Sequence, residues 1–192
     1  TPLPTRKAPG MLSEVDLPPV TNARGPWVGT DPQPAGVNVA STRCDNTSFT
    51  VEGMTGDLTR TFLFPQNEQA DAFGLTQTVA RAVSVARARS FVAEVRRRIA
   101  ACGRANLGTE VETVHDVRSG NRDLTTWDLS IELSDSRVLE FWMTIMREDT
   151  AVSQIGFVSE TDLRMSRADF RDVTERAMQR LPQLPEAGRR RR

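Results

Sequence analysis

Apolar and polar residues alternate with a period of two through much of this chain. Trp127, Leu129, Ile131 and Leu133 are interleaved with Asp128, Ser130 and Glu132, which predicts a half-buried antiparallel strand. Phe73, Leu75, Gln77 and Val79 against Thr76, Thr78 and Ala80 predict a second. Leu58 to Phe64, rich in threonine and phenylalanine and stopped by Pro65, predicts a third. Thr109 to Val117 alternates, with Glu110, Glu112 and Asp116 on one face and Val111, His115 and Val117 on the other. Val138 to Arg147 is apolar on both faces, Leu139, Phe141, Met143 and Ile145 opposite Val138, Trp142 and Met146, as expected of a covered central strand. Val152 to Val158 closes the series. The links at Ser134-Asp135-Ser136 and Glu148-Asp149 are short, so these last strands read as a meander of antiparallel neighbours.

Two stretches repeat at three and four instead. Ala88, Val92, Val95, Ile99 and Cys102 form one face of a helix that Ser84 can cap, with Gly103 at the expected left-handed end. Phe170, Val173, Ala177 and Leu181 form another stripe, with Ser166 and Asp169 as a capping box and Pro182 as the stop. Strands, helix, meander and helix without βαβ alternation predict an α+β domain. It consists of an antiparallel sheet of about five to seven strands, with a long helix and a C-terminal helix packed on it. Eight of the 11 prolines lie in the first 34 residues. Residues 1–40 are therefore read as a proline-rich extended arm or linker, loosely packed, on which Met11, Leu12, Val15, Leu17 and Trp27 can still dock. Residues 41–182 form the single domain, and 183–192 a disordered basic tail.

Composition narrows the classes. Cationic and anionic side chains cancel at 25 each, which removes a whole-molecule argument for nucleic acid. The basic residues are 24 arginines and one lysine, Lys7, a bias that G+C-rich coding produces as readily as selection for anion binding does. Arginines 87, 89, 96, 97, 98 and 104 crowd the long helix against Glu94 alone, without interleaved aromatics, and read as a solvated face. No apolar run approaches the ~18 residues that span a bilayer. The chain opens at Thr1 without a signal-like segment, which fits a processed export product, an excised ectodomain or a cut cytosolic protein.

The two cysteines, Cys44 and Cys102, stand too far apart for CxxC or zinc-ribbon chemistry. One disulfide, in an exported chain, is the expectation, with two unrelated buried thiols as the alternative. The single histidine, His115, shares its predicted face with Val111 and Val117 and reads as a satisfied, partly buried side chain. No triad, phosphate-loop, dinucleotide or zincin motif is present, so no catalytic residue, metal or cofactor is expected. Glu110 and Glu112 share a strand face at roughly 6–7 Å, which a carboxylate-pair hydrolase or, with Asp116, a hard-cation site permits. Trp142, with Val138 and Met146, is either core or the floor of an apolar groove ending at Arg147. Trp127, Trp142 and Arg147 are therefore the candidate ligand-binding residues.

Several segments together resemble a known family. Met11-Leu12-Ser13-Glu14-Val15-Asp16-Leu17-Pro18, then Trp27 and Cys44, are similar to the opening of actinobacterial secreted sensor-domain proteins. Phe91 to Cys102 resembles the helix ending in cysteine found there and in the extracellular sensor domains of mycobacterial PknH-type receptor kinases. Ile145-Met146-Arg147, Val152 to Val158 and the C-terminal helix are similar too. The resemblance implies a non-catalytic, extracytoplasmic ligand-sensing domain of the cell envelope, secreted or anchored, with an unknown small ligand or envelope component. Any membrane contact would run through an anchor outside this stretch. The family has no established catalytic residues to carry over, and the kinase sensor domains have more cysteines than the two here. An assembly module using the arginine-rich helix or the arm to bind a protein or polymer is the alternative.

Overall fold

The computed structural model describes residues 8–36, 40, 42–69, 73–133, 137–160 and 162–186. The predicted link at Ser134-Asp135-Ser136 and the Arg189–Arg192 tail lie outside them. Within them are strands β1 (Val28–Gly29), β2 (Met54–Leu63), β3 (Gly74–Ala82), β4 (Thr109–Ser119), β5 (Arg122–Glu132), β6 (Val138–Glu148) and β7 (Ala151–Val158), with helices α1 (Val85–Ala105) and α2 (Arg167–Arg180). The strands form one antiparallel sheet in the order β1-β2-β3-β7-β6-β5-β4, so the fold is α+β. After β3 the chain leaves the sheet, α1 carries it to the far edge, and the β4–β7 meander returns until β7 pairs with β3. No helix among the described residues is long and apolar enough to cross a membrane.

Local chemistry sets the helix ends. The Ser84 hydroxyl accepts from the Arg87 N–H, and the Ser166 hydroxyl accepts from the Asp169 N–H, each relieving an otherwise unpaired donor of a first turn. Helix α1 runs past Gly103 to Ala105, and Asn106 is its C-cap. The left-handed residue is Gly108, at φ 72°. A Cβ there would lie 2.8 Å from Glu132 Oε2, so glycine is needed where the chain turns into β4.

The sheet is covered on both sides. Helix α1 packs Phe91, Val92, Val95 and Ile99 onto Trp127, Leu129, Phe141, Met143 and Ile145. The opposite face carries Phe62, Leu75, Met146, Ile155 and Phe157, under α2, the arm and Leu181–Leu184. The loosely packed linker expected at the N-terminus does not describe residues 8–36: Met11 and Leu12 are wholly buried and Trp27 lies 4.1 Å, ring to ring, from Phe64. Proline prevents regular structure there without preventing burial. Val15 alone of the arm's named apolar residues stays exposed. At the other end Leu181–Gln183 form a 3-10 turn and Leu184 is buried, so the body extends past residue 182.

Polar clamps fix the arm. The buried Arg60 donates to Thr30 O at 2.7 Å, Leu12 O at 3.1 Å and Glu14 Oε1 at 2.7 Å. Gly29 makes room: a Cβ at that position would lie 2.6 Å from Arg60 Nη2. Gln77 accepts from the Leu12 N–H and donates to Ser153, while Asp16 pairs with Arg180 at 2.8 Å.

Candidate ligand-binding groove

Helix α1 starts beside the Ala82 end of β3 and finishes beside the Thr109 end of β4, and so crosses its face of the sheet on a diagonal. The corner it misses holds the lower ends of β2, β3, β7 and β6. Register puts Thr61 opposite Thr76, Thr76 opposite Gly156, Gly74 opposite Val158 and Val158 opposite Phe141, and these residues all face the same way. They floor a groove of about 490 Å³, closed at its sides by Leu63 and Phe73, by Ile131, Leu133 and Leu139, and by a wall of Ala40, Thr42 and Arg43. Glycine at 156 gives the floor its depth, since a Cβ there would meet Ala40 O at 3.2 Å and the Phe141 ring at 3.3 Å.

The wall is held by covalent and polar ties. Cys44 is joined to Cys102, near the end of α1, with Sγ–Sγ 2.05 Å and Cα–Cα 5.2 Å. Next to it Asp45, almost fully buried, accepts from Thr47 through Oδ1 and from Gln154 Nε2 at 3.0 Å through Oδ2. The Thr42 hydroxyl oxygen accepts from the Cys44 N–H at 2.8 Å and the Asp45 N–H at 3.1 Å. Arg43 is exposed and makes no ion pair or hydrogen bond with another described residue.

The three residues expected to line one site are dispersed. Trp127 is 3% exposed, opposite Met143 in the core under α1. Trp142 points to the other face, half-buried, with its ring 5.1 Å from Phe170 of α2 and 6.1 Å from Phe157. It also borders a recess of about 290 Å³ with His115, Thr126 and Arg167. Trp142 is thus part core and part recess. Arg147, five positions on, projects from the α1 side and is 1% exposed. It donates to Asp123 Oδ2 at 2.7 Å and to the carbonyls of Asn121, Asp149 and Gly120, stapling the β4–β5 and β6–β7 turns. Four of its five N–H donors are engaged in this way, and burial closes the guanidinium to a ligand.

A bulge in β4 between Thr113 and His115 corrects the predicted faces of that strand. The extra residue, Val114, reverses the alternation. His115, opposite Thr126, joins Glu110 and Glu112 on the α2 side, while Asp116, opposite Thr125, joins Val111 on the α1 side. A three-carboxylate cation site is therefore not assembled. Glu110 and Glu112 are both exposed, and Glu112 lies 3.4 Å from Arg167. Burial pushes the Asp116 carboxyl up, but the Thr125 hydroxyl and the Arg118 and Arg96 charges outweigh it and hold the group below the ordinary carboxylate range.

The arginines of α1 are mostly occupied at home. Arg87 donates to Glu52 O, Arg89 to Gly120 O, Arg96 to Thr125, and Arg97 and Arg98 to Glu94.

No protein family, curated protein or solved structure matches this chain.

Proposed function

We propose that this chain is a non-catalytic, extracytoplasmic ligand-binding domain of the sensor kind found in actinobacterial cell envelopes. The observation that carries this reading is the groove: concave, chiefly apolar, about 490 Å³, with a few hydroxyls and the Arg43 guanidinium among the described residues of its lining. Small-molecule sites fall in the range of roughly 300–1,000 Å³ and have this make-up. The Cys44–Cys102 bond supports an oxidising compartment. The internal bonds of the α1 arginines count against a polymer-binding helix, and the exposure of Glu110 and Glu112 counts against a carboxylate-pair hydrolase.

Titration with the neutral fluorophore N-phenyl-1-naphthylamine tests the groove. One probe molecule is expected to bind per chain and to be lost in Thr76→Trp, which fills the floor, but not in Ala168→Trp, which fills the Trp142 recess. Equal binding by both variants, or no binding by the parent protein, overturns the reading.

A further inference from the structure

Resting on that reading, the geometry points to the groove's ligand class: an amphiphile with one anionic head, held at Thr42 and Arg43, and an apolar body laid over the sheet toward Phe73, Leu139 and Phe141. The charge arrangement comes first. Among the described residues that line the groove, Arg43 is the one charged side chain, and none of them is a carboxylate. The guanidinium is free of other described residues, so its donors are open to a ligand.

Thr42 adds a donor beside it. Its oxygen already accepts two backbone N–H groups, from Cys44 and Asp45, which occupies both lone pairs. What remains is the hydroxyl proton, and only an acceptor can use it. On the floor the hydroxyls of Thr61 and Thr76 share one hydrogen bond at 3.1 Å, which leaves them one proton to give and lone pairs to accept with, so the donor bias rests on Thr42 and Arg43. The polar edge of the groove is therefore biased toward donors. It favours a carboxylate, sulfonate or phosphate ester over an amine or a neutral alcohol. The rest of the lining is hydrocarbon, which sets the body of the ligand. Tied to α1 through Cys44, the wall presents its donors without having to be ordered by the ligand.

The experiment displaces N-phenyl-1-naphthylamine with decanoate, decanol and decylammonium, below their aggregation limits, from the parent protein, Arg43→Gln and Arg43→Glu. Arg43 is exposed and unbonded, so both variants are expected to melt at the parent temperature. The parent should bind decanoate about tenfold or more tighter than decanol, the size of one charge-assisted hydrogen bond, with decylammonium weakest. Arg43→Gln should bring decanoate to the level of decanol, and Arg43→Glu should reverse the order of the two ions. Equal affinities in the parent protein, or a decanoate preference that survives in Arg43→Gln, overturn the anionic assignment while leaving the groove as a binding site. If none of the three displaces a probe that Thr76→Trp excludes, the amphiphile class is wrong. If the probe never binds, the groove reading itself falls.

Discussion

On one face of the sheet the cover is assembled from separate pieces, residues 8–36, α2 and the turn at Leu181–Gln183. On the other it is one continuous helix with a short segment tied to its end. The irregular arm packs closely on the sheet, and the polar clamps of Arg60, Gln77 and Asp16 hold it down. A helix is about 10–12 Å wide and strands lie about 4.8 Å apart, so one helix shields little more than two strands at any level. Laid diagonally over a seven-stranded sheet, α1 must leave ground uncovered. The groove follows from that mismatch of widths, whereas on the arm face the recess that remains lies beside α2, the one regular piece of that cover.

Breaking the arm face should cost most. Arg60→Ala leaves the Glu14 carboxylate and two carbonyls without their partner, and is expected to lower the unfolding free energy by about 3–5 kcal/mol, the usual penalty for a broken buried pair. Urea titration measures it. A loss below 1 kcal/mol would mean that the clamp does not hold the arm. On the α1 face, Cys44→Ser with Cys102→Ser should cost about 2–4 kcal/mol. It should also weaken probe binding at the groove, because the wall loses its tie. Unchanged probe affinity would show that the Asp45 network holds the wall by itself. Ser166→Ala removes the cap of α2 and should cost about 1 kcal/mol in thermal unfolding, with the groove untouched. The smallest effect concerns acid. Because the folded Asp116 carboxyl lies below its ordinary range, its contribution is present above the unfolded pKa and is lost as pH falls through the folded one. Asp116→Asn should flatten the acid limb of the stability profile below about pH 4, by less than 1 kcal/mol for so exposed a pair. An unchanged limb would remove Asp116 from the account.

The sequence was readable wherever one physical pattern decided the outcome. The alternation in β5 and the stripes of α1 and α2 gave strands and helices close to those observed, and the caps at Ser84 and Ser166 followed from side-chain chemistry. Val114 carries no mark of a bulge, so plain alternation puts His115, Asp116 and Val117 on the wrong faces relative to Val111. Gly103 and Gly108 each suit a helix end in sequence; α1 runs on to Ala105, and the left-handed residue is Gly108. Parity alone could have separated Trp142 from Arg147, which stand an odd number of residues apart on one strand. The groove was illegible for a different reason. Ile131, Leu139 and Val158 look like core residues in sequence, and only the path of α1 decides which apolar positions stay uncovered.

Ala8 and Leu184 both belong to the apolar layer beneath α2, and a side chain at Gly10 would strike Leu184 at 2.7 Å. Residues 8–10 and Leu184 thus lie at neighbouring points on the side turned away from the groove. Held on a bead or a sensor chip through the surface beside Ala8 and Leu184, the molecule would keep its groove face toward the flowing solution. Immobilised and free copies should therefore report the same affinity.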